Sequence, residues 1–314
     1  MNKLKVHFTG VDFSSRTGPN TFAFRLADRM RKNGHFIADE DDYDIALVFI
    51  EPSTNINYKK PFVQRLDGIW SKPNEFKTKN TRIKKIYDHA NGVIFQSEFN
   101  KKQIEKWFNH TKNKNVVINN GIEIIELNHI EPRLEEMRYQ YDKIFVSSAN
   151  WHPQKRLNEN IRLFQYLRDK FYPNSCLIVM GNNPEYVADK DIFYTGSLSH
   201  EMCLQIYSMS DWMIHLGYAD HCPNTVIEAL SQHVAVICSD VGGTKEIVRN
   251  NGFTIKEKQK YDFELFDYDN PPMLGDFDDI SMLPEIDVDN KHIDIFDVCE
   301  KYENFLYEVL DRSK

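Results

Sequence analysis

Asp220-His221-Cys222-Pro223-Asn224-Thr225-Val226-Ile227-Glu228-Ala229-Leu230 joins two carboxylates to a helix that opens on a proline. Pro223 removes an N–H that a first helical turn would leave unpaired, and Asn224 can cap the helix or bind a ligand, so the amides of this turn can face an anion. Glu228 follows one turn along. Val234-Ala235-Val236-Ile237-Cys238-Ser239-Asp240 then reads as a buried strand, and Val241-Gly242-Gly243-Thr244-Lys245-Glu246-Ile247-Val248 as a glycine turn opening another helix. Helix, strand and helix in this order form a unit of an α/β domain.

The same alternation extends toward both ends. Near the start, residues 3–9 read as a strand, a loop spans 10–18, and Pro19 and Gly34 bracket a helix. An acidic cluster at 39–44 precedes the continuous apolar strand Ile45-Ala46-Leu47-Val48-Phe49-Ile50. Further strands are expected at 62–66, 92–96 and 116–118, with a helical stretch before Gly92, a pattern that implies a parallel sheet. After a charged segment at 131–142 the series restarts: strand 144–148, helix 157–169, and strands 176–181 and 191–196. Two doubly wound domains are therefore expected, 1–137 and 138–294, followed by a terminal helix within 295–314. Residues 261–290 are acidic, carry Pro271-Pro272, and are expected to wrap loosely over the surface.

A chain of 314 residues with 41% hydrophobic and 13% aromatic content is long enough for two cores. No apolar run approaches the roughly 20 residues that cross a bilayer, and the first residues enter a strand directly instead of a signal peptide. The expected location is cytoplasmic, with peripheral contact at the inner membrane face as a variant. Five cysteines, odd in number and without CxxC spacing, argue against a disulfide framework or a zinc site. The net charge is −8, yet residues 59–114 hold 14 basic residues against 5 acidic ones. That excess is either a set of solvated helix faces or a basic surface for nucleic acid or an anionic membrane.

From residue 192 to 248 the sequence resembles the nucleotide-sugar-binding half of a retaining GT-B glycosyltransferase of family 4. Phe193-Tyr194-Thr195-Gly196, the Cys222-Pro223-Asn224 turn, Glu228-Ala229 and Gly242-Gly243-Thr244-Lys245-Glu246 follow in the family's order. Ser147-Ser148-Ala149-Asn150-Trp151-His152-Pro153-Gln154-Lys155-Arg156 is similar to its basic phosphate loop, Gln96-Ser97-Glu98-Phe99 to a loop after a strand, and Asn119-Asn120-Gly121-Ile122 to its interdomain segment. The resemblance implies a GT-B fold, two Rossmann-like domains facing across a cleft, with an acceptor-binding first domain and a donor-binding second.

It also implies roles. The paired carboxylates of the family correspond to Asp220 and Glu228: the second grips the donor ribose, and the first lies near the transferred sugar, where the usual residue is Glu. Two carboxylate oxygens suit vicinal hydroxyls. Lys155 and Arg156 follow a strand and turn, where α/β folds collect ligands, and could meet the diphosphate. Asn150 stands where many relatives carry arginine. Gly196, Asn224 and Thr225 complete the expected donor contacts. In the first domain Gly18 would let backbone approach a phosphate or sugar, and Arg16 could reach the diphosphate. Asp67 occupies the place of a family histidine, where it would orient the acceptor or bond the donor sugar; a simple Asp-Gly turn is its alternative. His7 is expected to be structural.

The expected activity is transfer of a sugar from a UDP- or GDP-sugar to an acceptor hydroxyl, with retention, in glycan assembly. Glycan, lipid, protein and modified viral DNA bases remain open as acceptors. A sugar-nucleotide epimerase or a non-catalytic sugar-nucleotide-binding protein would share the pocket, whereas a dehydrogenase is disfavoured because the first loop lacks GxGxxG. Asp267-Tyr268-Asp269, Asp276-Phe277-Asp278 and Asp287-Val288-Asp289 resemble metal-binding triplets but lie in the proline-containing acidic segment, so no metal and no cofactor is expected.

Overall fold

A computed structural model describes residues 3–15, 17–53, 56–112 and 114–311. The chain forms two compact units: Met1–Glu123 with Phe263–Phe266 and Lys291–Lys314, and Ile124–Asp262 with Asp267–Asn290. Residues 124–137 thus belong with the second unit, and the terminal helix with the first.

The first unit contains β1 (Lys5–Thr9), α1 (Gly18–Lys32), β2 (Phe36–Ile37), β3 (Ile45–Phe49), β4 (Phe62–Leu66), α2 (Phe76–His89), β5 (Gly92–Phe95), α3 (Glu98–Phe108) and β6 (Asn115–Val117). The strands form one parallel sheet in the order β2-β1-β3-β4-β5-β6. Every residue of β3 and β4 is buried, as expected for strands covered on both faces. Phe22, Leu26 and Met30 of α1 cover one face, and Ile83, Tyr87 and Ile104 of α2 and α3 cover the other. The two-residue β2 is too short for an alternation to reveal.

The second unit contains α4 (Pro132–Gln140), β7 (Lys143–Ser148), α5 (Leu157–Lys170), β8 (Ser175–Met180), β9 (Ile192–Gly196), α6 (His200–Ser208), β10 (Trp212–His215), α7 (Asn224–Ser231), β11 (Ala235–Ser239), α8 (Thr244–Val248) and β12 (Gly252–Ile255). Its parallel sheet runs β12-β11-β10-β7-β8-β9. The chain begins in the middle with β7, winds outward through β8 and β9, then crosses back to β10 and winds the other way. The connections after β7 and β10 therefore lead to opposite sides of the sheet, which marks the switch point where doubly wound sheets place their ligand crevice.

Residues 256–290 contain no helix or strand, yet they do not wrap loosely. Leu274, Phe277, Leu283 and Val288 are buried, Phe277 packs 6.2 Å from the Tyr166 ring, and the Leu283 amide donates to the Tyr172 hydroxyl at 2.8 Å. Apolar side chains at irregular intervals pin the segment while most of its aspartates stay exposed. The chain ends in α9 (Ile295–Asp311), whose Val298, Tyr302, Leu306 and Val309 join the core beneath α1.

Candidate functional site

In the second unit three loops converge at the point where the strand order reverses. Ser147, near the end of β7, donates from Oγ to the Ile214 carbonyl of β10 at 2.8 Å. Gln154 in the β7 loop accepts from the Tyr218 amide and donates through Nε2 to the Tyr218 carbonyl, both at 2.9 Å, lacing the β7 loop to the β10 loop. The β11 loop closes on the same place. Gly243 donates to the Asp220 carbonyl at 2.7 Å, and a Cβ on Gly242, whose φ is +130°, would stand 2.7 Å from that oxygen. Arg156 at φ 54° and Ala219 at φ 51° both take the left-handed conformation. Such strain persists only where the surroundings impose it, and it concentrates at ligand sites.

At the centre, Lys155 Nζ and Asp220 Oδ2 form an ion pair, and His215 Nε2 lies 3.0 Å from the same oxygen. His215 ends β10 and is almost fully buried; Lys155 and Asp220 reach the surface, with side chains 24% and 13% exposed. Burial alone would raise the Asp220 pKa, but the Lys155 charge and the His215 hydrogen bond outweigh it and hold the carboxyl well below its ordinary range. His221 next door is pushed down to about 4, chiefly by burial, with Asp220 opposing and Lys155 reinforcing the shift. The arrangement keeps a lysine ammonium at the mouth of the crevice. Sequence reading missed His215, whose only signal is a polar residue closing an apolar strand.

Arg156 has a different place. Its guanidinium turns inward and pairs bidentately with Glu257, Nη1 to Oε1 at 2.6 Å and Nη2 to Oε2 at 3.1 Å, both side chains 3% exposed or less. It also donates to the carbonyls of Leu216 and Pro272 and lies over the Tyr218 ring. Ser239 Oγ donates to Glu257 at 2.6 Å. The guanidinium expected to meet a diphosphate is thus committed to fastening the acidic segment against the sheet.

Pro223 is the N-cap of α7, and Asn224 and Thr225, both half-buried, begin the helix. Glu228 lies one turn on, its side chain 12% exposed and Oε1 3.8 Å from His200 Nδ1. Asn150 is exposed in the β7 loop. Gly196 closes β9 at φ 69°, its carbonyl accepting from the Gly181 amide at 2.8 Å and its Cβ direction open.

Gly18 and Asp67 lie in the first unit. Gly18 is the exposed first residue of α1, and Arg16 falls outside the described residues. Asp67 follows β4 and pairs with Arg65, a fully buried arginine that sequence reading did not single out. Arg65 also donates to the Tyr302 hydroxyl at 3.2 Å, to Gln96 Oε1 at 3.2 Å and to Asn120, and lies between the rings of Phe22 and Phe49. Its partners come from the loops after β5 and β6 and from α9, too far apart in sequence to be paired by inspection. His7 Nδ1 lies 3.0 Å from the Ala38 carbonyl.

Residues 133–264 match the family described as Glycosyl transferases group 1. An uncharacterized glycosyltransferase of Methanocaldococcus jannaschii is 31% identical over an alignment of 180 residues that covers 52% of this chain and 44% of that protein, so the match spans less than half of the relative's length. Among solved structures, Anabaena HepE in complex with UDP superposes with a TM-score of 0.68 at 14% identity, covering 97% of this chain and 100% of that one. A glycosyltransferase of Rickettsia africae superposes with a TM-score of 0.59 at 15% identity, covering 100% and 93%. Residues 133–264 thus carry a glycosyl transferases group 1 domain, in a chain with the GT-B fold.

Proposed function

We propose that the protein is a glycosyltransferase that moves a sugar from a nucleotide-sugar donor to an acceptor hydroxyl with retention of configuration, in glycan assembly. The observation that carries this reading is the Lys155–Asp220 pair at the switch point of the second sheet, inside the matched domain. A diphosphate entering the crevice would meet Lys155, and Glu228 on α7 would accept bonds from the ribose hydroxyls. As the glycosidic bond breaks, charge builds on the leaving diphosphate, and a cation engaged with it stabilises it more in the transition state than before, by roughly 2.7–4 kcal/mol for a well-placed donor. Asp220 would lie near the transferred sugar. Attack on the face the diphosphate leaves, with the departing phosphate taking the acceptor's proton, needs no nucleophilic side chain, so catalysis would rest on positioning and charge. In this reading the first unit takes the acceptor: Asp67, fixed by Arg65, orients the hydroxyl, and the basic residues of 59–114 attract an anionic carrier of the glycan.

Because the Anabaena HepE structures contain UDP or UDP-glucose, UDP-sugars are the first donors to test. A ligand that binds only the folded state adds about 2.7 kcal/mol at a hundredfold excess over Kd. A thermal-shift panel of UDP- and GDP-sugars should give a rise in melting temperature with one base, and Glu228→Ala should remove it. No shift with any member, or an unchanged shift in the variant, contradicts the assignment.

A further inference from the structure

We infer that Asp220 competes with the diphosphate for the phosphate cation of the second unit: His215 fixes that carboxylate, and Lys155 is the part that moves. The inference rests on the proposed reading only in taking the ligand to be a diphosphate.

The three side chains differ in freedom. Asp220 is fixed in its main chain, through its carbonyl to Gly243 and through the bridge to Gly242, and in its side chain through His215 Nε2 at 3.0 Å. His215 is 3% exposed at the end of a central strand. Gly217 leaves room for the contact, since a Cβ there would lie 3.2 Å from His215 Nε2 and 3.4 Å from Asp220 Oδ2. Lys155, by contrast, ends a three-residue turn and hangs its ammonium on a flexible four-carbon stem, a quarter exposed. When a diphosphate arrives, its charge competes with one carboxylate for one ammonium. The carboxylate, tied from below, stays; the lysine turns. Asp220 and His215 are positioning residues in this exchange: with His215 present the carboxylate cannot follow the lysine outward.

The test is calorimetric titration of the folded chain with inorganic pyrophosphate and, separately, UDP. Asp220→Asn removes the competing charge and is expected to bind pyrophosphate about tenfold tighter than the parent. Combining it with Lys155→Met should erase that gain. His215→Leu frees the carboxylate to travel with Lys155 and should weaken pyrophosphate binding about threefold, while His215→Gln, which can still donate to Asp220, should restore it. Melting curves establish that each variant is folded, and Asp220→Ala serves if the asparagine variant is not. Equal or weaker pyrophosphate binding by both Asp220 variants overturns the inference, as does a gain that survives the loss of Lys155 or the absence of pyrophosphate binding throughout. If the pyrophosphate pattern holds but no nucleotide sugar binds, the exchange stands and the glycosyl-transfer reading falls.

Discussion

Removing Glu257 should damage the second unit more than any change at its exposed carboxylates. Its side chain is 3% exposed, holds both terminal nitrogens of Arg156 and accepts from Ser239. Glu257→Gln keeps the shape but leaves a guanidinium without its counter-ion, and arginine cannot shed its proton. Breaking a buried pair from one side costs about 3–5 kcal/mol. For a unit of this size that corresponds to a fall in melting temperature of roughly 6–20 °C. Arg156→Met should cost a similar amount, because it strands the Glu257 carboxylate in the same buried place. Arg156→Met combined with Glu257→Leu should be less destabilising than either single change, since replacing a buried pair by apolar side chains is often close to neutral. Calorimetry of the three variants, with nucleotide titrations alongside, checks the set. If Arg156→Met melted normally yet lost nucleotide binding, Arg156 would be a ligand contact and the buried-pair reasoning would be refuted.

Gly242→Ala should lower stability by about 1–3 kcal/mol and weaken nucleotide binding, because the new Cβ would press on the Asp220 carbonyl at an unfavourable φ; urea unfolding and thermal shift check both. Burial lowers the His221 pKa to about 4 in the folded chain against 6.5 for the ordinary group, so the unfolded state binds more protons between these values. Stability should therefore fall as pH drops from about 6.5 to 4, and His221→Gln should flatten that slope in urea titrations. Arg65→Met should destabilise the first unit by about 3–5 kcal/mol by leaving the Asp67 carboxylate without its partner; adding Asp67→Asn should recover part of the loss, read from the unfolding midpoint.

Most strands of the two sheets were legible because a parallel sheet covered on two faces demands unbroken apolar runs, as in β3, β8 and β11, whereas β2, β10 and β12, of two to four residues, are too short to stand out and were not expected. Helix α4 was not, for it buries no residue and so leaves no periodic stripe. The loops after β7 and β10 could be located from Lys155 and Asp220, but not the contact between them. The inward turn of Arg156 was invisible because its partner lies 101 residues away, a single glutamate among Lys256, Lys258 and Lys260 that nothing in the local pattern marks as buried. Likewise the strand holding Arg65 was read correctly, whereas the depth of its charge follows only once Gln96, Asn120 and Tyr302 are brought around it.

The placement of α9 has a consequence for biosynthesis. Ile295, Tyr302, Phe305 and Leu306 belong to the same apolar cluster as Val6, Leu26 and Ile94, although nearly the whole second unit separates them in the chain. Ribosomal synthesis runs from the N-terminus and usually lets the first domain fold before the next emerges. Here the leading unit lacks one wall, and Arg65 lacks Tyr302, until residues 295–311 have been made. The nascent first unit therefore waits with a strip of core open to water. A pulse-chase experiment should find it protease-sensitive through most of translation and resistant only once the last helix is free to dock.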